Sequence, residues 1–247
     1  MNFSCELGRR LLQNGAEIYR VEESIEFLLG AYGYDRVEVF AIPAVIVLNI
    51  QTDERNYTKA VRIHSTAMNL RKLHRLNALC RELCRETPDL AEAEARFNNV
   101  MAEPRYTTPM NLLAFGMVAM FFTLFWGGNL PDAIIAFLCG LLVRGMVTFM
   151  GRVQANVFFT NLVTAMLAAL PAAVLNLMGT PVHMDKIIIG TIMLLVPGLA
   201  ITNVMRDVLA GDFLTALTRF AEVLIVAMGI SIGVAIAIMA PRAIMGL

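Results

Sequence analysis

The chain has 247 residues, of which 57% are hydrophobic, and carries 20 basic and 20 acidic side chains. Its zero net charge gives no sign of nucleic-acid binding, and its apolar fraction exceeds the roughly half that soluble domains reach. The charges are uneven, since residues 1–110 hold 14 of the 20 Lys/Arg and 15 of the 20 Asp/Glu. The sequence therefore predicts a charged first domain over residues 1–105 and an apolar membrane domain over residues 106–247.

The first domain reads as a small α+β domain that we expect in the cytosol, because its start lacks the apolar core of a signal peptide. Residues 3–31 have apolar residues at helical spacing and predict one amphipathic helix, which ends at Gly33. Three β-rich runs follow, "VEVFAIP", "AVIVLNI" and "AVRIH", with a proline and the turn-like "QTDERNY" between them. Residues 67–86 predict a helix with one basic side, and Asp89 is the N-cap candidate of a last helix.

Three charged residues near the start of the chain are candidates for a contact between the domains. Glu17, Arg20 and Glu22 lie together in "GAEIYRVEES". On a helix, Glu17 and Arg20 pair, whereas Glu22 points elsewhere. The set is either a solvated face or a contact onto the cytosolic mouth of the membrane bundle. The basic helix over residues 67–86 could equally meet anionic lipid.

The sequence predicts no enzyme, no metal site and no cofactor site. Cys80 and Cys84 share a helix face, but no second pair lies at the spacing of a metal site, so we interpret them as packing residues. His64 and His74 are isolated, and the chain has no phosphate loop and no nucleophile elbow. The alternative, a hydrolytic first domain anchored by the spans, has no catalytic constellation to support it.

The second domain contains five stretches of about 20 mostly apolar residues, the length that crosses a bilayer. The short motif "GISIG" from Gly229 to Gly233 has small residues four apart, a pattern that favours close helix packing. The chain is therefore predicted to be an integral, mainly α-helical membrane protein. Its five-helix transmembrane bundle is expected over residues 111–129, 131–151, 156–178, 187–209 and 217–240.

Basic residues at the span ends predict the orientation in the membrane. Arg152, Arg206 and Arg219 lie on the side of the charged first domain, and Lys186 and Arg242 lie on the other. Since basic residues favour the cytosolic side, this small majority predicts a cytosolic N-terminus. Five is a small, odd number of spans for a carrier, and many carriers are built from two related repeats. We therefore expect a partner subunit or a homo-oligomer.

A proline–glycine pair interrupts the predicted fourth span. Pro197 removes one amide donor and Gly198 adds flexibility, so carbonyls near residue 193 and amides just after Gly198 lose their helical partners. In lipid, such a break is tolerated only where protein or a water-filled cavity satisfies it. A freed helix N-terminus favours an anion, so the pair predicts a site for a carboxylate-bearing solute, to which Asn203 could hydrogen-bond. The alternative is a proline kink that serves packing alone.

Ionisable residues within or beside the spans are the remaining site candidates. Arg144 lies deep in the second span and either reaches the headgroups or faces the bundle, where Glu222, Asp207 or an anionic solute would pair with it. Glu222 forms an interfacial pair with Arg219 or, if buried, could carry a proton. The candidates for gating or ion coupling are Arg206, Asp207, Asp212 and Glu222.

Four stretches resemble the threonine/serine exporter (ThrE-type) family. The resemblance extends from about residue 6 to residue 236, and the segment around residues 197–212 is long and specific. The stretches are "GAEIYRVEESIEFLLGAYG", "FAIPAVIVLNI", "AVRIHSTAMNLRKLHRLN" and "IIIGTIMLLVPGLAITNVMRDVLAGDFLTALTRFAE".

The resemblance implies export of small solutes across the bacterial inner membrane, by secondary transport coupled to an ion gradient. Threonine and serine are linked to the single-chain form of the family, which is much longer than this chain. The shorter length resembles the two-gene form, in which a YjjP-like protein works with a smaller YjjB-like membrane protein and which is linked to succinate. We therefore expect succinate as substrate. Threonine or serine export and a non-transporting regulatory subunit are the alternatives.

Overall fold

The computed structural model describes residues 1–63, 68–103 and 106–244. The chain divides into two compact units. Unit 1 comprises Met1–Pro104 together with Asp207–Thr218, and unit 2 comprises Arg105–Arg206 together with Arg219–Leu247. His64, and the first residue of the helix predicted from position 67, lie outside the described residues.

Unit 1 begins with two helices where the sequence predicts one. α1 (Asn2–Gln13) and α2 (Ile18–Ala31) are separated by a turn in which Gly15 has a φ of +94°. The prediction of a single helix over residues 3–31 is therefore wrong, because a residue with this φ cannot continue a right-handed helix. The apolar spacing runs through the turn nonetheless, since both helices bury their apolar faces in the same core.

The three predicted strands form one antiparallel sheet in the order β1-β2-β3. They are β1 (Val37–Ile42), β2 (Val45–Gln51) and β3 (Asn56–Arg62). β3 begins inside "QTDERNY", so the turn is shorter than the sequence predicts, and it is closed by the Thr52 amide donating to the Arg55 carbonyl (2.9 Å). Every second residue of β2 is buried, which places one face of the sheet on the core.

Two capped helices, α3 (Leu70–Glu86) and α4 (Leu90–Ala102), complete the first 103 residues. The Asp89 carboxylate accepts a hydrogen bond from the Glu92 amide (2.8 Å), which confirms the predicted N-cap of α4. The Asn69 side chain accepts one from the Lys72 amide (3.0 Å) and caps α3 in the same way. The buried core of unit 1 draws on these helices, on α1 and α2, and on β2, with Leu7, Leu11, Ile25, Leu48, Leu76 and Leu83 among its members.

The remaining helices are α5 (Thr108–Phe125), α6 (Leu130–Arg152), α7 (Val157–Leu177), α8 (Met184–Ile192), α9 (Gly198–Leu209) and α10 (Phe213–Ile244). Within the described ranges, four helices are long and apolar enough to cross a membrane, namely α5, α6, α7 and α10. Residues 187–209, predicted as one span, do not form one long helix. They are divided between α8 and α9, as the Pro197–Gly198 pair predicts.

Glycines bring α10 and α7 of unit 2 close together. A Cβ atom on Gly229 would lie 2.8 Å from the Phe158 carbonyl oxygen of α7. One turn later, a Cβ atom on Gly233 would collide with the Leu162 carbonyl oxygen of the same helix. The predicted packing role of "GISIG" is therefore confirmed, because only glycine allows this approach of α10 to the backbone of α7.

Candidate functional site

The break between α8 and α9 has the geometry that Pro197 imposes. α8 ends at Ile192, whose carbonyl accepts hydrogen bonds from two amides of the following turn (2.8 and 3.1 Å). Pro197 has no amide hydrogen. As a result, the Met193 carbonyl, four residues earlier, has no donor within hydrogen-bonding distance among the described residues. α9 then begins at Gly198.

The first turn of α9 carries two backbone amides without an acceptor. Its first and fourth amides donate to the carbonyls of Val196 and Pro197 (2.9 and 3.0 Å). Across the described part of the chain, the amides of Leu199 and Ala200 have no acceptor within hydrogen-bonding distance. Unpaired amides at a helix N-terminus bond to caps, water or anions. These two donors are therefore available to a ligand.

Polar residues follow these amides along one side of α9. Ala200, Asn203 and Asp207 recur at steps of three and four, so they share a helix face. Asn203 is half-buried and Asp207 is buried, whereas Arg206 is exposed. The helix thus places Asn203 on the side of the free Ala200 amide, and it directs Arg206 to a different side.

The Asp207–Thr218 segment, which joins α9 to α10, belongs to unit 1. The Asp212 amide donates to the Asp207 carbonyl (2.9 Å), and an Asp212 carboxylate oxygen accepts from the Thr215 amide (3.4 Å). Thr215 and Ala216 are buried. Asp212 therefore caps the start of α10 within a packed part of unit 1.

The Glu22 carboxylate interacts electrostatically with the Asp212 carboxylate of this segment. Its Oε1 accepts a 2.7 Å hydrogen bond from the Ala41 amide of β1. Burial raises the pKa of the Glu22 carboxyl, the Ala41 hydrogen bond lowers it, and the negative charges of Asp212 and Glu26 raise it, with a net upward shift. Unit 1 therefore brings Glu22 near enough to Asp212 for the two charges to interact.

The other two residues of the same motif have a separate role in α2. Arg20 Nε donates to the Glu17 carboxylate at 2.8 Å, and the Arg20 side chain is 61% exposed. The ion pair follows the spacing of three that the sequence shows, whereas Glu22 points to β1. The three candidates of "GAEIYRVEES" thus divide into an ion pair between the exposed Arg20 and Glu17, whose side chain is only 12% exposed, and a carboxylate near Asp212.

We expect Glu22→Gln to flatten the pH dependence of stability. The folded-state pKa of Glu22 is raised above its usual 4.5, so the folded protein holds this proton more tightly than the unfolded chain. Its contribution to stability is fully present below the unfolded-state pKa and is lost as the pH rises through the folded-state pKa. Thermal unfolding followed by circular dichroism, from about pH 4 to about pH 8, should show a smaller fall in midpoint for Glu22→Gln than for wild type.

The matched control is Glu94→Gln, which removes the same charge from an exposed position on α4. Its unfolding midpoints should follow those of the wild type across the whole range. A Glu22→Gln curve that also runs parallel to the wild type would contradict the raised pKa. It would mean that Glu22 senses neither burial nor Asp212.

Arg144 is held by an aromatic ring within unit 2. Its guanidinium lies 5.2 Å from the centroid of the Phe115 ring of α5, and its buried Nε has no hydrogen-bond partner among the residues that the structure describes. In the described part of unit 2, Arg144 forms no ion pair with Glu222, and the site roles considered for both residues stay predictions. Glu222 is instead exposed on α10. The Phe115 ring thus places the Arg144 guanidinium against α5 by a cation–π contact.

The structure also contains a buried carboxylate that the sequence analysis missed. Asp132 is fully buried, and its side chain accepts hydrogen bonds from the backbone amides of Asn129 and His183 (both 2.9 Å). Its Oδ2 also lies 2.8 Å from His183 Nδ1. Asn129 and Asp132 form a capping box, a sequence signal that "NLPD" offers. Asp132 thereby ties the start of α6 to the start of α8, the first half of the broken helix.

The chemistry of the cysteines matches a packing role. Burial raises the pKa of the Cys80 thiol to about 12, and it raises that of the Cys84 thiol as well. A thiol with a raised pKa is a poor nucleophile and a poor metal ligand. Among the described residues, no group of three His, Cys, Asp or Glu side chains is placed to hold a metal ion.

Comparison with known proteins identifies the family of the chain. The family model described as "Putative threonine/serine exporter" matches residues 2–240. A threonine/serine exporter of Corynebacterium glutamicum is 25% identical over 96% of this chain and 50% of its own length. Probable succinate transporter subunits named YjjP are 25% identical in Klebsiella aerogenes and 24% identical in Escherichia coli K12. They match over 92% and 94% of this chain and over 88% and 91% of their own lengths.

The lengths separate these relatives into two kinds. The chain spans about half the length of the Corynebacterium relative, but it aligns with most of each YjjP relative. No solved structure matches the chain. With a family match that covers nearly all of the sequence and four helices able to cross a membrane, this chain belongs to the threonine/serine exporter family of membrane proteins.

Proposed function

We propose that this chain is one half of a secondary exporter of small carboxylate-bearing metabolites in the bacterial inner membrane, with succinate as the first candidate substrate. The observation that carries the proposal is the pair of unpaired amides, Leu199 and Ala200, at the N-terminus of α9. Their position follows a helix break in an apolar segment. Two such donors at the positive end of a helix suit a carboxylate.

The broken helix fits a fifth crossing of the membrane. α8 has nine residues and α9 has 12. At about 1.5 Å per residue, neither alone spans a hydrocarbon core of about 30 Å, but together they have the required length. With α5, α6, α7 and α10 this gives five crossings. The first domain, residues 1–105, then lies in the cytosol and the membrane domain, residues 106–247, follows it.

The second half of the carrier is proposed to come from a smaller YjjB-like subunit. This chain spans half of the Corynebacterium exporter, and the similar YjjP proteins are named as subunits. α9 also leaves large apolar side chains exposed, with Met205 at 59% and Leu209 at 85%. Such side chains suit a contact with lipid or with a further membrane helix. A second copy of this chain is the alternative partner.

Arg144 and Asn203 complete the proposed substrate set with Pro197 and Gly198. A dicarboxylate needs a second positive group, which Arg144 offers in the same unit. An amino acid needs an acceptor for its ammonium group, and Asp207 shares a helix face with Asn203. That acceptor, together with the Corynebacterium relative, favours threonine or serine as the second candidate substrate.

Ion coupling is proposed to use the acidic residues around the α9–α10 junction. Glu22 and Asp212 influence each other electrostatically within unit 1. Protonation of one carboxylate therefore removes a negative charge that repels the other. Asp207 is buried beside this junction in the chain, and Arg206 and Glu222 flank it. A change of protonation here would act on the segment that follows the substrate-binding helix.

The test removes one amide hydrogen without removing the helix. Leu199→Pro abolishes the Leu199 donor at a position in the first helical turn, where proline is tolerated. Leu199→Ala is the matched control, because it shortens the side chain and keeps the amide. Uptake of labelled succinate and of labelled threonine is measured in inside-out membrane vesicles, with and without the smaller subunit. We expect Leu199→Pro to lower uptake at least about tenfold and Leu199→Ala to lower it less than about twofold.

The outcomes separate the candidates. Succinate uptake that requires the smaller subunit supports the dicarboxylate exporter, and threonine uptake supports the amino-acid exporter. Equal uptake by Leu199→Pro and Leu199→Ala would show that the free amide does not bind the substrate. If neither solute is taken up under any condition, the chain is a regulatory subunit and the proposal fails.

A further inference from the structure

A groove between α2 and α3 of unit 1 contains none of the residues of the proposed substrate set. Its volume is about 500 Å³, within the roughly 300–1,000 Å³ range of small-molecule sites. α2 contributes residues between Arg20 and Phe27, and α3 contributes residues between Asn77 and Arg85. On each helix the lining residues recur at steps of three and four, so two facing stripes form the walls.

The lining of the groove has more positive than negative side chains. Arg20, Arg81 and Arg85 line it, against the single carboxylate of Glu23. Arg81 has no carboxylate within ion-pair distance in the described ranges. Arg81 and Arg85 are also four residues apart on α3, and like charges at this spacing destabilise a helix. A bound anion would remove that repulsion.

The other two arginines keep donors for a ligand. Arg20 uses its Nε for Glu17, and neither terminal nitrogen of its guanidinium has an acceptor among the residues that the structure describes. Among the described residues, the only ion-pair partner of Arg85 is the neighbouring Glu86, which it contacts through one nitrogen, and the Arg85 side chain is 76% exposed. Guanidinium groups bind carboxylate and phosphate oxygens in pairs of hydrogen bonds.

Uncharged groups form the rest of the lining. The Phe27 side chain is 69% exposed beside the arginines. The thiols of Cys80 and Cys84 stay protonated at neutral pH, because burial raises both pKa values. Thiols and an aromatic ring suit a short carbon skeleton better than a bare inorganic ion.

We propose that this groove binds a small dianion, with its charged oxygens between Arg20, Arg81 and Arg85 and its carbon skeleton against Phe27 and the two thiols. The ligand class is a dicarboxylate or a phosphate monoester, and the phosphate belongs to a soluble metabolite or to a lipid headgroup. The site is formed by residues of unit 1 alone, and none of them belongs to the proposed substrate set. The proposal does not rest on the proposed transport function.

The test is isothermal titration calorimetry on the full chain in a neutral detergent at low salt. The probes are succinate, inorganic phosphate and dihexanoyl phosphatidic acid. The double variant Arg81→Gln/Arg85→Gln removes two groove charges. Arg71→Gln/Arg75→Gln is the matched control, because it removes two charges from the same helix outside the groove, where Arg75 pairs with Glu103. Circular dichroism verifies that both variants are folded.

We expect at least one probe to bind the wild type with 1:1 stoichiometry. Its affinity for the groove variant should be at least about tenfold lower than for the wild type, and its affinity for the control should be within about threefold of the wild-type value. The probe that binds best identifies the source of the dianion. Equal affinity for the two variants, or no binding of any probe to the wild type, overturns the proposal. Succinate binding that is lost in Leu199→Pro but kept in the groove variant assigns that binding to the transport site and also overturns it.

Discussion

Asp132→Ala is expected to lower the free energy of unfolding by about 3–5 kcal/mol, since removal of one partner leaves buried donors unpaired. The Asp132 side chain is fully buried and accepts from two backbone amides and faces an imidazole nitrogen. The alanine side chain has no oxygen that could accept these hydrogen bonds in place of the carboxylate. The start of α6 loses its capping box, and the start of α8 loses its link to α6. Both losses act on the N-terminal end of the broken helix, where α8 begins.

The measurement is denaturant unfolding in detergent followed by the fluorescence of Trp126. The chain has one tryptophan, and it lies three residues before Asn129, so its emission reports on this turn. Asp185→Ala is the matched control. It removes the same charge from the first turn of α8, where the Asp185 side chain is 63% exposed and only contacts Lys186 at 3.5 Å.

Asp185→Ala should change the free energy of unfolding by less than about 0.5 kcal/mol, because a surface ion pair contributes little. Asp132→Asn should fall between the two, since its amide keeps one acceptor oxygen but turns a donor toward other donors. Equal unfolding curves for Asp132→Ala and Asp185→Ala would contradict the proposed link between α6 and α8.

Local signals in the sequence were enough for most of unit 1. Alternating apolar residues predict all three strands, and Asp89 predicts the start of α4, because both effects depend on neighbours within a few residues. The prediction of a single first helix is wrong because it also depends on local spacing alone. Apolar spacing reports the direction of burial, and α1 and α2 bury into one core, so the spacing does not reveal the turn at Gly15.

The helix break was predictable because the backbone itself carries the signal. Pro197 and Gly198 predict the break, and the structure shows the amides that it frees. Long-range partners were not predictable. His183 lies 51 residues from Asp132, and no periodicity joins them. A basic residue such as Arg144 predicts a carboxylate partner, but its neighbour is the Phe115 ring. An aromatic ring attracts a cation without carrying a charge, so the sequence pattern did not indicate this contact.

Gly233→Leu is the second variant for which we expect a large effect, because it pushes α10 away from α7. A Cβ atom at this position would meet the Leu162 carbonyl oxygen, and it would also lie 3.0 Å from the Met166 amide nitrogen. These are backbone atoms of a helix and cannot rotate away as a side chain can. Overpacking typically costs about 1–3 kcal/mol, and we expect the upper end here.

Gly145→Leu provides the comparison, since a Cβ atom on Gly145 of α6 meets nothing within 4 Å. It makes the same substitution in another apolar helix, so it should leave the thermal unfolding midpoint in detergent undiminished. Gly233→Leu should lower that midpoint and, together with it, the succinate uptake proposed above. Loss of the proposed uptake in Gly233→Leu with an unchanged unfolding midpoint would contradict the packing role. It would instead assign Gly233 to the movement of α10 along α7 during the transport cycle.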